Sequence, residues 1–178
     1  MLDEKRIKEA ESNVRNYVEE GLLKKDSNKT AQQMYLENAE LSLETAKKLL
    51  SLESDNYKPY LWIIVISYYA MYYIANAALL QYGYKVGDKI SHKVTADALI
   101  VFVRNKLKKE LLSDYEQAQE EVLALIATKT DDLLKSFELE REKRSKFQYQ
   151  TDEYAKKEKA LTSFERAKAF LFEMKKLL

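Results

Sequence analysis

Cysteine is absent from this chain of 178 residues, so it forms no disulfide and offers no thiolate to a metal or to nucleophilic chemistry. There is one histidine, His92, which excludes a metal site built on two imidazoles and the HExxH pattern. A Ser-His-Asp triad would have to use that residue, and no serine sits in a nucleophile-elbow pattern. Neither of the glycine-rich phosphate-binding fingerprints, GxxxxGKS/T and GxGxxG, occurs. With 1 proline and 3 glycines the chain is poor in the turn residues of an all-β fold, so composition points to helices. The 30 basic and 29 acidic side chains leave a net charge of +1, too small a global field to draw nucleic acid or a membrane surface. No cofactor and no metal are expected. The N-terminus is charged from its third residue and has no signal-type apolar segment, so a cytoplasmic location is expected.

What is present is one long uncharged run. In a chain where 33% of residues are charged, Pro59 to Tyr84 spans 26 residues with no charge at all. A membrane span needs about 20 apolar residues, so length alone permits one. The tyrosines argue against it. There are 7 in the run, and Tyr68, Tyr69, Tyr72 and Tyr73 lie at its middle, where lipid offers phenol hydroxyls no partner. Inside a protein the same residues bury a large apolar body and hydrogen-bond their tips to neighbours. The run is therefore read as the buried central helix of a bundle, with no membrane role.

Periodic apolar residues mark the other helices. The first is expected from about Asp3 to Lys25, on Ile7, Ala10, Val14, Tyr17, Val18 and Leu22. Thr30 and Gln33 form a capping-box pattern that opens a second, running to about Ser51. Pro59 stands where the uncharged helix begins, and Gly83 is a natural residue to end it. Ser91 is a plausible cap for a helix reaching Leu107, and Ser113 with Glu116 forms another capping box for a long helix. Thr130, Asp131 and Asp132 are positioned to break or bend that helix, and Thr151 to cap the last one. The expected fold is all-α: an up-and-down bundle of four to five helices plus an extra N-terminal helix. It forms a single domain, with residues 1–26 as the extension and 30–178 as the bundle.

Charge is uneven along the chain. Lys85 to Lys109 holds 7 basic and 2 acidic side chains, and Arg141 to Lys146 holds 4 and 1. A phosphate-rich ligand would favour such stretches, although ordinary solvated surface and dipole-complementing bases account for them equally well. Within the second stretch, Arg144 offers a fork of donors, Lys146 a point charge, and Tyr149 a ring or a hydroxyl beside a helix N-terminus. His92 is read first as a local hydrogen-bonding residue. Tyr68, Tyr72 and Asn76 share one helix face and read first as buried polar residues that set helix register.

Several of these segments together resemble the HEPN domain (higher eukaryotes and prokaryotes nucleotide-binding), in its small bacterial and archaeal branch. The segments are SYYAMYYIANAALLQYGYK, SHKVTADALIVF, the junction LEREKRSKFQYQ and the closing amphipathic helix, so the resemblance covers about residues 30–178. It implies a homodimer that often pairs with a minimal nucleotidyltransferase, as toxin and antitoxin. It also implies, for active members, metal-independent ribonuclease activity from an arginine and a histidine at the dimer cleft. Here Arg144 matches the arginine, but Tyr149 stands where that motif has histidine, and a phenol is a poor base near neutral pH. The expected function is therefore a dimeric nucleotide- or RNA-binding component without chemistry of its own, binding through Arg144, Lys146 and Tyr149. One alternative is a ribonuclease toxin using Arg144 with Tyr149 or His92 as catalytic residues. Another is a purely structural helical dimerisation module.

Overall fold

A computed structural model describes the backbone of residues 3–138 and 146–178, and the side chains of residues 3–126 and 156–178. Among the described residues are six α-helices and one two-stranded ribbon: α1 (Glu4–Glu19), β1 (Leu23–Lys25), α2 (Lys29–Ser51), α3 (Tyr60–Gln81), β2 (Tyr84–Val86), α4 (Ser91–Phe102), α5 (Lys109–Glu138) and α6 (Lys146–Lys175). The expected all-α bundle is the fold found.

The uncharged run is α3, at the centre, packed along α2 and α6 and touched by α4 and α5. It is long and apolar enough to cross a membrane, yet 72% of its most apolar window is buried inside the fold. Ile63, Ala70, Met71, Ile74, Ala75, Ala77, Ala78 and Leu79 lose all their exposure there. Small alanines along the C-terminal half let the neighbouring helices approach closely. Polar ties set the direction of α6 against α2. Lys157 reaches Glu53 just past the end of α2 (2.7 Å), and Lys175 near the end of α6 reaches Glu40 within α2. The two helices are therefore antiparallel. Arg166 joins α6 to α5 through Glu121 (3.2 Å) and Asp114 (3.7 Å), and the Tyr115 and Phe170 rings meet with centroids 5.5 Å apart.

The ribbon overturns the expected first helix. Instead of reaching Lys25, α1 stops at Glu19, and Leu23, Lys24 and Lys25 pair antiparallel with Val86, Lys85 and Tyr84. The chain's 3 glycines, Gly21, Gly83 and Gly87, all border these strands. Gly83 follows α3 with φ +81°, a conformation that penalises a side chain. Gly87 donates to the Leu22 carbonyl at 2.8 Å, where an added Cβ would lie 3.3 Å from that oxygen. Tyr84 stacks on Phe102 at 3.9 Å and carries the Lys25 ammonium 3.7 Å above its ring, so the ribbon is also fastened to the end of α4.

Several helix starts also differ from expectation. Asn28, not Thr30, caps α2: its side chain accepts from Ala31 N at 2.9 Å, while its own N–H bonds Asp26. Ser91 is the first residue of α4 and Ile90 takes the cap position, in the left-handed region (φ 44°, ψ 30°) with no side-chain cap bond. That helix ends at Phe102, followed by a tight turn over Arg104–Lys106, short of Leu107. The long helix α5 begins at Lys109, before Ser113, which brings Leu111 and Leu112 into the core on its first turn. It runs unbroken past Thr130–Asp132 to Glu138. The last helix α6 begins at Lys146, so Thr151 is an internal residue.

The N-terminal helix is held by one buried carboxylate. Asp97 on α4 has no exposure, and it accepts from Arg6 (2.6 Å), Asn13 (3.0 Å) and Tyr17 (2.9 Å), all on α1. Arg6 also reaches Glu116 at 2.7 Å, which brings α5 into the same network. Partial burial opposes the Arg6 charge, but the Asp97 and Glu116 carboxylates outweigh it and hold the guanidinium above its ordinary pKa. The Tyr17 hydroxyl is pushed up by burial and by Asp97, and stays protonated. Removing one partner of such a group strands the others in the core. Asp97→Ala should therefore cost about 3 kcal/mol, read as a lower urea midpoint at unchanged slope. Glu11→Ala, which breaks a half-exposed pair with Arg104, should cost under about 1 kcal/mol.

Candidate functional site

Where α4 begins, it lays His92 against the open edge of α3. The Tyr68 hydroxyl lies 2.8 Å from His92 Nδ1. The imidazole is ringed by Tyr72, Tyr68 and Tyr69, with centroids at 4.5, 5.5 and 5.9 Å. Tyr69 meets Tyr72 edge-on at 6.2 Å and Tyr73 at 5.9 Å, and Tyr73 in turn meets Tyr35 of α2 at 6.2 Å. Behind this edge, Tyr68 packs on Tyr115 of α5 at 6.0 Å. Tyr68 and Tyr115 are buried, whereas Tyr35, Tyr69, Tyr72, Tyr73 and His92 are each half-buried.

Helix periodicity creates the edge. Trp62, Ile66, Tyr69 and Tyr73 recur at i, i+4, i+7 and i+11, so one stripe of α3 faces outward. Trp62 is 61% exposed. The uncharged helix is thus buried on most of its surface, not on all sides. Asn76 locks the two helices in register: its amide donates to the Tyr72 carbonyl (2.9 Å) and to Thr95 Oγ1 (3.3 Å), and Thr95 bonds the Ser91 carbonyl (2.8 Å). The face of Tyr68, Tyr72 and Asn76 therefore does what register-setting polar residues do, and it also presents the histidine.

The electrostatics favour the neutral forms of Tyr35, Tyr68, Tyr73, Tyr115 and His92. Burial pushes the Tyr68 and Tyr115 hydroxyls well above their ordinary pKa. Tyr35 is raised by burial first, then by Tyr72, Asp88 and Tyr73, and Tyr73 by burial, then by Tyr69 and Tyr72. His92 is lowered from its ordinary 6.5 by burial, so at neutral pH the imidazole carries no charge. Lys89 and Lys93 lie near His92 in the chain, are exposed, and make no ion pair with a described residue. Lys93 lines a separate hollow with Glu9, Glu116 and Glu120, between α1, α4 and α5. In the same basic stretch, Lys85 faces Asp26 at 3.7 Å and Arg104 faces Glu11 at 3.1 Å. The edge thus offers flat rings, phenol hydroxyls and a neutral imidazole.

Of the candidates singled out in sequence, His92 lies at the centre of this edge. Lys146 and Tyr149 fall in the first turns of α6, and their side chains lie outside the described residues, as does Arg144 altogether. Sequence reasoning kept His92 and the Tyr68 face as separate features; the structure brings them together. It missed Tyr115, which looked like one more core position in α5. It also missed Asp97, although an acid alone in the apolar stretch VTADALIVFV was a signal. Among the described residues, no cluster of three His, Asp or Glu side chains is placed to hold a metal. No family model matches the chain, and no curated protein or solved structure matches it either.

The depressed His92 pKa has a stability consequence of definite sign. The unfolded chain takes up the histidine proton near its ordinary 6.5, before the folded chain does. Stability should fall as pH drops below about 6.5, and stop falling from this cause below the folded-state value. Urea midpoints between pH 7 and pH 5 should therefore show a smaller drop in His92→Gln than in the unmodified protein. With a single histidine in the chain, no second imidazole contributes to that difference.

Proposed function

We propose that this chain is a dimeric, HEPN-like binding protein. It stacks unpaired bases of RNA, or a nucleotide, on the tyrosine edge of α3 and performs no chemistry of its own. The observation that carries this reading is the packing of half-buried Tyr69 and Tyr72 against a neutral His92, with Tyr73 next to them and the exposed Lys89 three residues before the histidine in the chain. Aromatic faces accept any base, and lysines neutralise the phosphates that come with it. Arg144, Lys146 and Tyr149 are the second candidate contact, on the strength of the family resemblance. A minimal nucleotidyltransferase is the partner that resemblance suggests.

Catalysis by His92 is the weaker reading. The ring is held by Tyr68 and packed among phenols, with no carboxylate hydrogen-bonded to it to raise its basicity. Binding is tested with a single-stranded RNA oligonucleotide titrated at several salt concentrations. Tyr72→Ala should weaken binding by about 1–3 kcal/mol, and Lys89→Gln should lower the salt slope by about 0.7. Binding that ignores both substitutions would overturn the assignment of the edge. RNA cleavage that survives chelation and is lost in Arg144→Ala would favour the ribonuclease alternative.

Self-association is supported by the other end of the stripe. Trp62 is among the most exposed large apolar side chains and lies in line with Ile66, short of the tyrosines. Sedimentation should show a dimer for the unmodified chain and a monomer for Trp62→Glu. A unmodified chain that sediments as a monomer at micromolar concentration would rule this interface out.

A further inference from the structure

The proton order between Tyr68 and His92 follows from counting donors. Tyr68 is 2% exposed, and the partner of its hydroxyl among the described residues is His92 Nδ1 at 2.8 Å. The hydroxyl of the neighbouring Tyr115, 1% exposed, has no hydrogen-bond partner there. A phenol has one proton to give and lone pairs to receive with. Two orders are available.

In the first, His92 carries its proton on Nδ1 and donates to Tyr68, whose own proton then has no acceptor among the described residues. In the second, Tyr68 donates to a bare Nδ1, and its buried hydroxyl is satisfied. A stranded buried hydroxyl costs about 1–3 kcal/mol, enough to select the second order. The other ring nitrogen, Nε2, makes no hydrogen bond to a described residue and is not among the buried unpartnered atoms, so it is open to solvent.

We propose that the Tyr68 hydroxyl donates to His92 Nδ1 and so holds the imidazole as its Nε2–H tautomer, whose open side donates a hydrogen bond to an acceptor oxygen of the bound ligand. Tyr68 is then a positioning residue and His92 the contact. The donor role rests on the nucleotide reading of the edge; the tautomer does not. The tautomer also specifies what kind of group is read. A phosphate or base carbonyl oxygen accepts from Nε2–H, whereas a donor such as an exocyclic amine is turned away. It works against His92 acting as a base through that nitrogen, because the nitrogen is already protonated.

The test uses the full-length protein with histidine labelled in nitrogen-15, where the lone imidazole gives one pair of ring signals. At neutral pH the proton should reside on Nε2 in the unmodified chain. It should remain there in Tyr115→Phe, because Tyr68 still donates. In Tyr68→Phe it should distribute over both nitrogens, and the His92 titration midpoint should rise, because the donor that favours the neutral ring is gone. Each variant removes a single oxygen, and the spectrum of the unmodified chain decides the question even if a variant fails to fold. A proton on Nδ1 in the unmodified chain, or an unchanged tautomer in Tyr68→Phe, overturns this proton order. Uridine monophosphate that leaves the Nε2–H signal unmoved while the tautomer is as stated overturns the donor role and the nucleotide reading, and leaves the proton order standing.

Discussion

A helix with no charged side chain but many phenols imposes one demand on everything around it: each buried hydroxyl must find a partner inside the protein. Leaving one unmet costs about 1–3 kcal/mol, a noticeable part of a domain's total stability. Most neighbours of α3 are arranged accordingly, although the buried Ser67 and Tyr115 hydroxyls have no partner among the described residues. Tyr60 finds Glu53 at 2.7 Å, Tyr68 finds His92, and Asn76 finds Thr95. These ties decide the register of α4 against α3, and with it the place where the histidine appears. The position of the candidate site is thus a by-product of satisfying the core.

The same demand, met by a carboxylate instead of a phenol, secures α1. Asp97 sits in the middle of a helix that is otherwise apolar on its inner side, and three side chains of α1 converge on it. An apolar residue there would pack against α1 without specifying how far along α4 it docks. Charge-assisted bonds with fixed geometry specify that offset. The N-terminal helix therefore shares the polar framework of the bundle.

What was legible in the sequence was what periodicity reports. The central helix, its end at Gly83 and the amphipathic character of α1 and α2 are repeated signals, summed over many residues. What was not legible depended on a contest between neighbours. Thr30 with Gln33 and Ser113 with Glu116 are sound capping patterns, yet Asn28 and the burial of Leu111 and Leu112 start those helices earlier. The ribbon of β1 and β2 was invisible because each strand is three residues long and its partner lies beyond two helices. Of the site, His92 and the Tyr68 face were both noticed. Their union was not, since it depends on how α4 crosses α3. Tyr115 carried no mark that separates a ring packed behind the site from an ordinary core aromatic.

The ribbon has a mechanical meaning for the molecule. Because Leu23 lies opposite Val86, the chain enters and leaves the α2–α3 pair at one point, like the two arms of a pair of tweezers joined at the hinge. The far tip, at the Leu52–Pro59 turn, is outside the ribbon and is tied instead to α6 by the Glu53–Lys157 pair. The start of α4 follows that hinge by five residues, and the end of α4 is stacked on it through Tyr84 and Phe102. Tyr73 lies toward the ribbon end of its arm and Trp62 toward the tip, so the ribbon and the aromatic edge nearest His92 share one end of the α2–α3 pair.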